Sequence, residues 1–101
     1  MANIDSLTAL ADPTRRKIFE TVAARSGSVG QIADGLTVSR SAVSQHLKVL
    51  SDAGLVSAKP AGNMRIYAIR KEGLQELRSY LDQFWTDVLT NFAQEANKKD
   101  H

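Results

Sequence analysis

The sequence predicts a mainly α fold with a β-hairpin wing, a winged helix-turn-helix, laid out as a single domain over residues 1–101. Three observations predict it. Apolar residues recur at helical spacing through most of the chain, two such stretches (28–36 and 40–53) are separated by a short turn, and residues 55–69 have the composition of two strands about a tight turn.

Ile4, Leu7 and Leu10 recur at helical spacing in a short first helix, residues 1–10. Asp12-Pro13 then joins a side chain that accepts from free helix amides to a proline at the first helical position, so a second helix starts there. It runs to about Ala24 with Ile18, Phe19, Val22 and Ala23 as its buried stripe, and Ser26-Gly27 closes it. Ser28 caps a third, short helix through Ile32, Ala33 and Leu36. The run SRSAVSQHLKVLSDAG supplies a fourth helix and ends at Gly54, where a left-handed residue terminates it. LVSAKPAGNMRIYAI reads as two strands around a turn from Pro60 to Asn63.

From Lys71 an amphipathic helix runs to about Ala96, carrying Leu74, Leu77, Leu81, Phe84, Trp85, Val88, Leu89, Phe92 and Ala93. So wide an apolar face exceeds what a small domain can cover with its own core. The expected cover is a second copy. Helices 1–10 and 71–96 would form a homodimer interface from Ile4, Leu7, Leu10, Leu81, Phe84, Trp85, Val88 and Phe92, with a cofactor or ligand pocket as the weaker reading of the aromatic stripe.

Charge is unevenly distributed behind a formal net charge of +2. Residues 39–71 carry Arg40, Lys48, Lys59, Arg65, Arg70 and Lys71 against Asp52 alone, whereas residues 72–101 carry six acidic and three basic groups. Basic potential is therefore concentrated where an anionic partner would dock. No apolar run approaches a membrane span and no leader-like N-terminus is present, which predicts a cytoplasmic protein without a membrane partner. With no cysteine, the chain has no disulfide, thiolate metal site or thiol switch. No nucleophile stands with a base at motif spacing and no glycine loop is built for phosphate, so an enzyme is not expected, nor a catalytic residue or cofactor.

The fourth helix carries the chemistry. At 100° per residue from Arg40, the side chains Arg40, Ser44, Lys48, Ser41 and Gln45 occupy one arc from 0° to about 140°, while Val43, Leu47, Leu50 and Ala42 occupy the opposite one. Placed in a major groove, that outer arc offers the groups that read base edges: Gln45 suits adenine and Arg40 suits guanine, each through two hydrogen bonds. Gln45 is the leading base reader. Ser39, Ser41 and Ser44, short hydroxyls near the helix start, would fix register on phosphates. A solvated helix face with Ser39 as a plain cap is the blander alternative. In the hairpin, Lys59, Asn63 and Arg65 suit a phosphate backbone or a minor groove. Arg15, Arg16 and Lys17 read as a solvated basic face. His46 falls near 240°, on the inner side, without the partners that zinc or acid–base work needs.

Together LADPTRRKIFE, SRSAVSQHLKVLSDAGLVSAKPAGNMRIYAI and the long final helix resemble the ArsR/SmtB family of bacterial winged-helix repressors over nearly the whole chain. The resemblance implies a dimer that represses transcription on double-stranded DNA, and the family's DNA-contacting positions match the serines and Gln45. Metal-sensing members carry cysteines near the first helix of the helix-turn-helix, or Asp, His and Glu clusters on the last helix. Here residues 31–36 have no thiol, and the last helix offers Asp82, Asp87 and Glu95, with His101 at the end. The expectation is an operator of inverted repeats and no metal site. The competing readings are a metal-responsive repressor using those oxygen ligands across the dimer, and a protein-interaction module that has lost DNA binding.

Overall fold

The computed structural model describes residues 2–99, with side chains from Asp5 to Asn97. The Ile4 side chain and His101, both singled out above, lie outside the described residues. The order is α1 (Ala2–Ala11), α2 (Pro13–Ala24), α3 (Val29–Asp34), α4 (Arg40–Asp52), β1 (Val56–Ala61), β2 (Met64–Ile69) and α5 (Lys71–Lys99).

Each boundary has a local cause. Asp12 caps α2 by accepting the Arg15 amide at 2.9 Å. That hydrogen bond, together with the Arg15 charge, holds the Asp12 carboxyl below its ordinary pKa, because the ionised form is the better acceptor. A carboxyl whose pKa is lower in the folded state contributes stability above its unfolded pKa and loses it as pH falls through the folded one. Asp12→Ala should therefore lower Tm at neutral pH, and the gap from the parent should begin to narrow below about pH 4 and go on narrowing until pH has fallen through the lowered folded pKa, where both states bind the proton. Thermal melts across pH 2.5–7 check this; a gap independent of pH contradicts it.

Ser28 and Gln31 form a reciprocal capping box at the start of α3, the Ser28 hydroxyl accepting from the Gln31 amide and the Gln31 carbonyl oxygen from the Ser28 amide. α3 stops at Asp34, so Leu36 packs from the connecting turn and not from the helix. Ser39 caps α4 through the Ala42 amide at 3.1 Å. At its other end the Leu55 amide reaches the Leu50 carbonyl and the Gly54 amide the Ser51 carbonyl, both at 3.0 Å, with Gly54 at φ 77°. This is the paired 6→1 and 5→2 closure that needs a left-handed residue, and the buried Leu50 and Leu55 supply its apolar contact.

The core is one cluster: Ile18 and Val22 of α2, Ile32 of α3, Val43, Leu47 and Leu50 of α4, with Leu55 and Val56, all at most 2% exposed. Ala23, expected in the buried stripe of α2, is exposed. Ile18 and Val22 set the stripe at i, i+4, and Ala23 lies a further 100° round the helix, past its edge. Leu10 packs against this core within its own protomer, leaving Leu7 as the outward apolar residue of the described part of α1.

β1 and β2 pair antiparallel from Val56↔Ile69 to Ala61↔Met64. Pro60 lies inside β1, opposite Arg65, and not in the turn; a two-stranded ribbon has no inner strand, so a residue without an N–H is tolerated. The turn is Gly62-Asn63, with glycine at φ 65° in the first central position, where a II′ hairpin requires it. One element has no sequence counterpart. Gly27 bridges Tyr67 through two backbone hydrogen bonds of 3.1 and 2.8 Å, tying the α2–α3 connection to the wing.

α5 starts against the end of α4. Gly73 is buried on the Gly54 carbonyl, and a methyl group there would overlap that oxygen and lie 2.8 Å from its carbon. Leu77 is also buried, but further along α5 leaves the body of the protomer: Phe84, Trp85, Leu89 and Phe92 are 50–72% exposed. At ~1.5 Å per residue the helix is about 43 Å long, which accounts for a molecule 67 Å in length and only 26 × 21 Å across. No helix among the described residues is long and apolar enough to cross a membrane.

Candidate nucleic-acid interface

The expected division of α4 is present in the structure. Val43, Leu47 and Leu50 are fully buried, whereas Arg40, Ser41, Ser44, Gln45 and Lys48 are exposed along one face. His46 and Ala42 are half-buried at the margin. The Arg15 guanidinium lies 3.4 Å from His46 Nδ1 and, through Nε, donates to the Ala9 carbonyl at 2.6 Å. Arg16 donates to the Leu10 carbonyl at 3.2 Å. These two arginines thus close the C-terminus of α1, where orphan carbonyls and the helix dipole favour cations, instead of forming the free basic face the sequence suggests.

Two clefts flank the outer face of α4. One lies between α3, α4 and the wing and is lined by Gly30, Gln31, Asp34, Arg40, Ser44, Arg65 and Tyr67 among others. The second, between α4 and β1–β2, is lined by Gln45, Lys48 and Asp52 and again by Ser44, Arg65 and Tyr67. Arg65 thus lines both clefts and joins α4 to the wing. The pleat puts Arg65 and Tyr67 on one face of β2 and Lys59, opposite Ile66, on the other, while Asn63 sits at the hairpin tip. The wing residues expected to act together are therefore split between a cleft wall, an outer face and a tip. Tyr67 was not singled out from sequence; its backbone bridge to Gly27 is a long-range contact with no local signature.

Ser39 spends its acceptor on the Ala42 amide, so its first role is the cap. Lys48 pairs with Asp52 at 3.3 Å, with both side chains at least 70% exposed. Such a pair contributes only ~0–1 kcal/mol, so a phosphate can displace the carboxylate at little cost. On α5, Asp82 lies 3.8 Å from Arg78, and Asp87 accepts from Gln83 at 3.1 Å. Among the described residues no three His, Asp or Glu side chains gather in a way that could hold a metal ion.

A capped helix with an apolar inner face and a polar, basic outer face, preceded by a short helix and followed by a two-stranded wing, defines a winged helix-turn-helix DNA-binding protein. Residues 12–58 match the family model described as bacterial regulatory protein, arsR family. The chain is 55% identical over 86 residues to the HTH-type transcriptional regulator Rv2034 of Mycobacterium tuberculosis, covering 85% of this chain and 80% of that one. It is 30% identical to the transcriptional repressor SdpR of Bacillus subtilis, over 75% of this chain and 84% of that one. The solution structure of the homodimeric winged helix-turn-helix DNA-binding domain of Mb0332 from Mycobacterium bovis superposes with a TM-score of 0.69 at 25% identity, over 87% of this chain and 82% of that one. The protein belongs to the ArsR family of transcriptional regulators; it is a DNA-binding regulator and not an enzyme.

Proposed function

We infer that the protein is a cytoplasmic repressor that binds an inverted-repeat operator as a homodimer and that metal ions are not its signal. The observation that carries this is the pairing of two exposed surfaces: the polar face of α4, from Arg40 to Lys48, and the uncovered apolar face of α5 with Leu7 of α1. The first suits a major groove, the second a like copy. A two-fold dimer would set its two reading helices about one DNA turn, ~34 Å, apart. The repressor role is supported by similarity to SdpR, and the dimer by similarity to the homodimeric Mycobacterium bovis domain. Against metal sensing stand the absence of cysteine and the engagement of Asp82 and Asp87 with neighbours on their own helix.

Fluorescence titration of the chain against its own promoter region tests the reading. Gln45→Ala should relax base preference at one position of each half-site by about 1–3 kcal/mol. Lys59→Ala should weaken binding to all sequences alike and lower the salt slope by about one. Loss of preference from both variants, or from neither, contradicts these roles. Operator release by zinc, nickel or cobalt would restore the metal-responsive reading.

A further inference from the structure

Resting on the DNA-binding reading, we propose that the cleft between α3, α4 and β2 seats one backbone phosphate of the operator, gripped jointly by Arg40 and Arg65, so that Arg40 holds the DNA backbone and does not read a base.

The case starts from where the guanidiniums go. Arg15, Arg16 and Arg70 donate to backbone carbonyls and Arg78 pairs with Asp82. The Arg40 and Arg65 guanidiniums have no hydrogen-bond or ion-pair partner among the described residues, yet both line the same cleft, whereas the likewise unpaired Arg25 lines a separate one with Thr21 and Ser26. Two unpaired cations sharing one recess repel each other until an anion enters, and planar guanidiniums suit phosphate oxygens through paired N–H donors. Arg40 is folded back to reach this position. Its guanidinium lies across Gly30 of α3, where even a methyl group would come within 3.2 Å of Cζ. That direction leads towards α3 and the wing and away from Gln45, which lines the other cleft. Arg65 is held by its strand, since Tyr67 two residues on is fixed to Gly27 by two backbone hydrogen bonds. Ser44 and Tyr67 line the same cleft and offer neutral hydroxyl donors, while Asp34 is its one carboxylate.

The test uses the full chain with Arg40→Gln, Arg65→Gln, the double variant and Tyr67→Phe, titrated against the selected operator, a set of its single-base variants and random duplex of equal length. Each arginine variant should lose about tenfold in affinity, the scale of one charge-assisted hydrogen-bonded contact, and lose it equally on operator and random DNA. The double variant should lose well under the hundredfold product, because one phosphate is shared, and its salt slope should fall by about one in total. Tyr67→Phe should weaken binding with the salt slope unchanged. The proposal is overturned if Arg40→Gln changes preference at a single base pair, or if the two losses multiply fully and each lowers the slope by one. Failure of the unmodified chain to bind DNA would instead overturn the functional reading on which it rests.

Discussion

Gly73→Ala is expected to destabilise the protein by about 3 kcal/mol, although alanine is the better helix former by about 1 kcal/mol. The added methyl would overlap the Gly54 carbonyl oxygen, and the obstacle is backbone on both sides, so no rotamer relieves it. Either α5 lifts from the end of α4 or the closure of α4 at Gly54 is distorted. Propensity and packing therefore predict opposite signs, and packing wins because interiors tolerate little added volume. Urea unfolding at fixed protein concentration measures it, since stability and assembly are linked in an oligomer. An unchanged or raised midpoint would mean that α5 does not sit on Gly54 as described.

The second large effect concerns the uncovered face of α5. Trp85→Glu should abolish the proposed dimer at micromolar concentration and lower operator affinity by more than a hundredfold, without unfolding the protomer. Trp85 is 61% exposed in the protomer and lies beyond Leu77, where α5 has left the core, so a charge there costs the single chain little. In a dimer it is different: each large aromatic covered contributes ~2 kcal/mol, the two-fold axis counts the substitution twice, and a buried unpaired carboxylate adds its own desolvation. Loss of one half-site grip then removes the second binding event from the operator. Sedimentation and circular dichroism decide it. A variant that stays dimeric contradicts the interface, and one that unfolds would show that Trp85 belongs to the protomer core.

Much of this architecture was readable from residue order. Asp12-Pro13, Ser28 and Gly54 mark helix ends by local chemistry that acts within a few residues, and the structure uses all three in those roles, while Ser39, read first as a phosphate contact, takes the blander role of cap. The wheel on α4 separated Val43, Leu47 and Leu50 from the polar arc because burial in a helix follows its period. What escaped were features set by distant contacts or long side chains. The Gly27–Tyr67 bridge is made by backbone groups, which leave no mark in the sequence. Arg15 and Arg16 resembled a free basic face, whereas the carbonyls that receive them belong to another helix. Arg40 falls on the outer arc, yet four side-chain torsions let its charge turn back over Gly30. Gly73 did leave a signal, a glycine inside a helix where alanine would be favoured, which points to close backbone approach. Pro60 was placed in the turn by its turn-forming habit, although an exposed two-stranded ribbon accepts it in a strand.

On the proposed reading, two copies of the polar face of α4 engage DNA together. Genome-wide recovery of bound sites with the full chain tests it most directly. An enriched inverted repeat, with half-site centres about 10 base pairs or a multiple of that apart, is the expected result. An enriched unpaired half-site, or no enriched sequence at all, would contradict it.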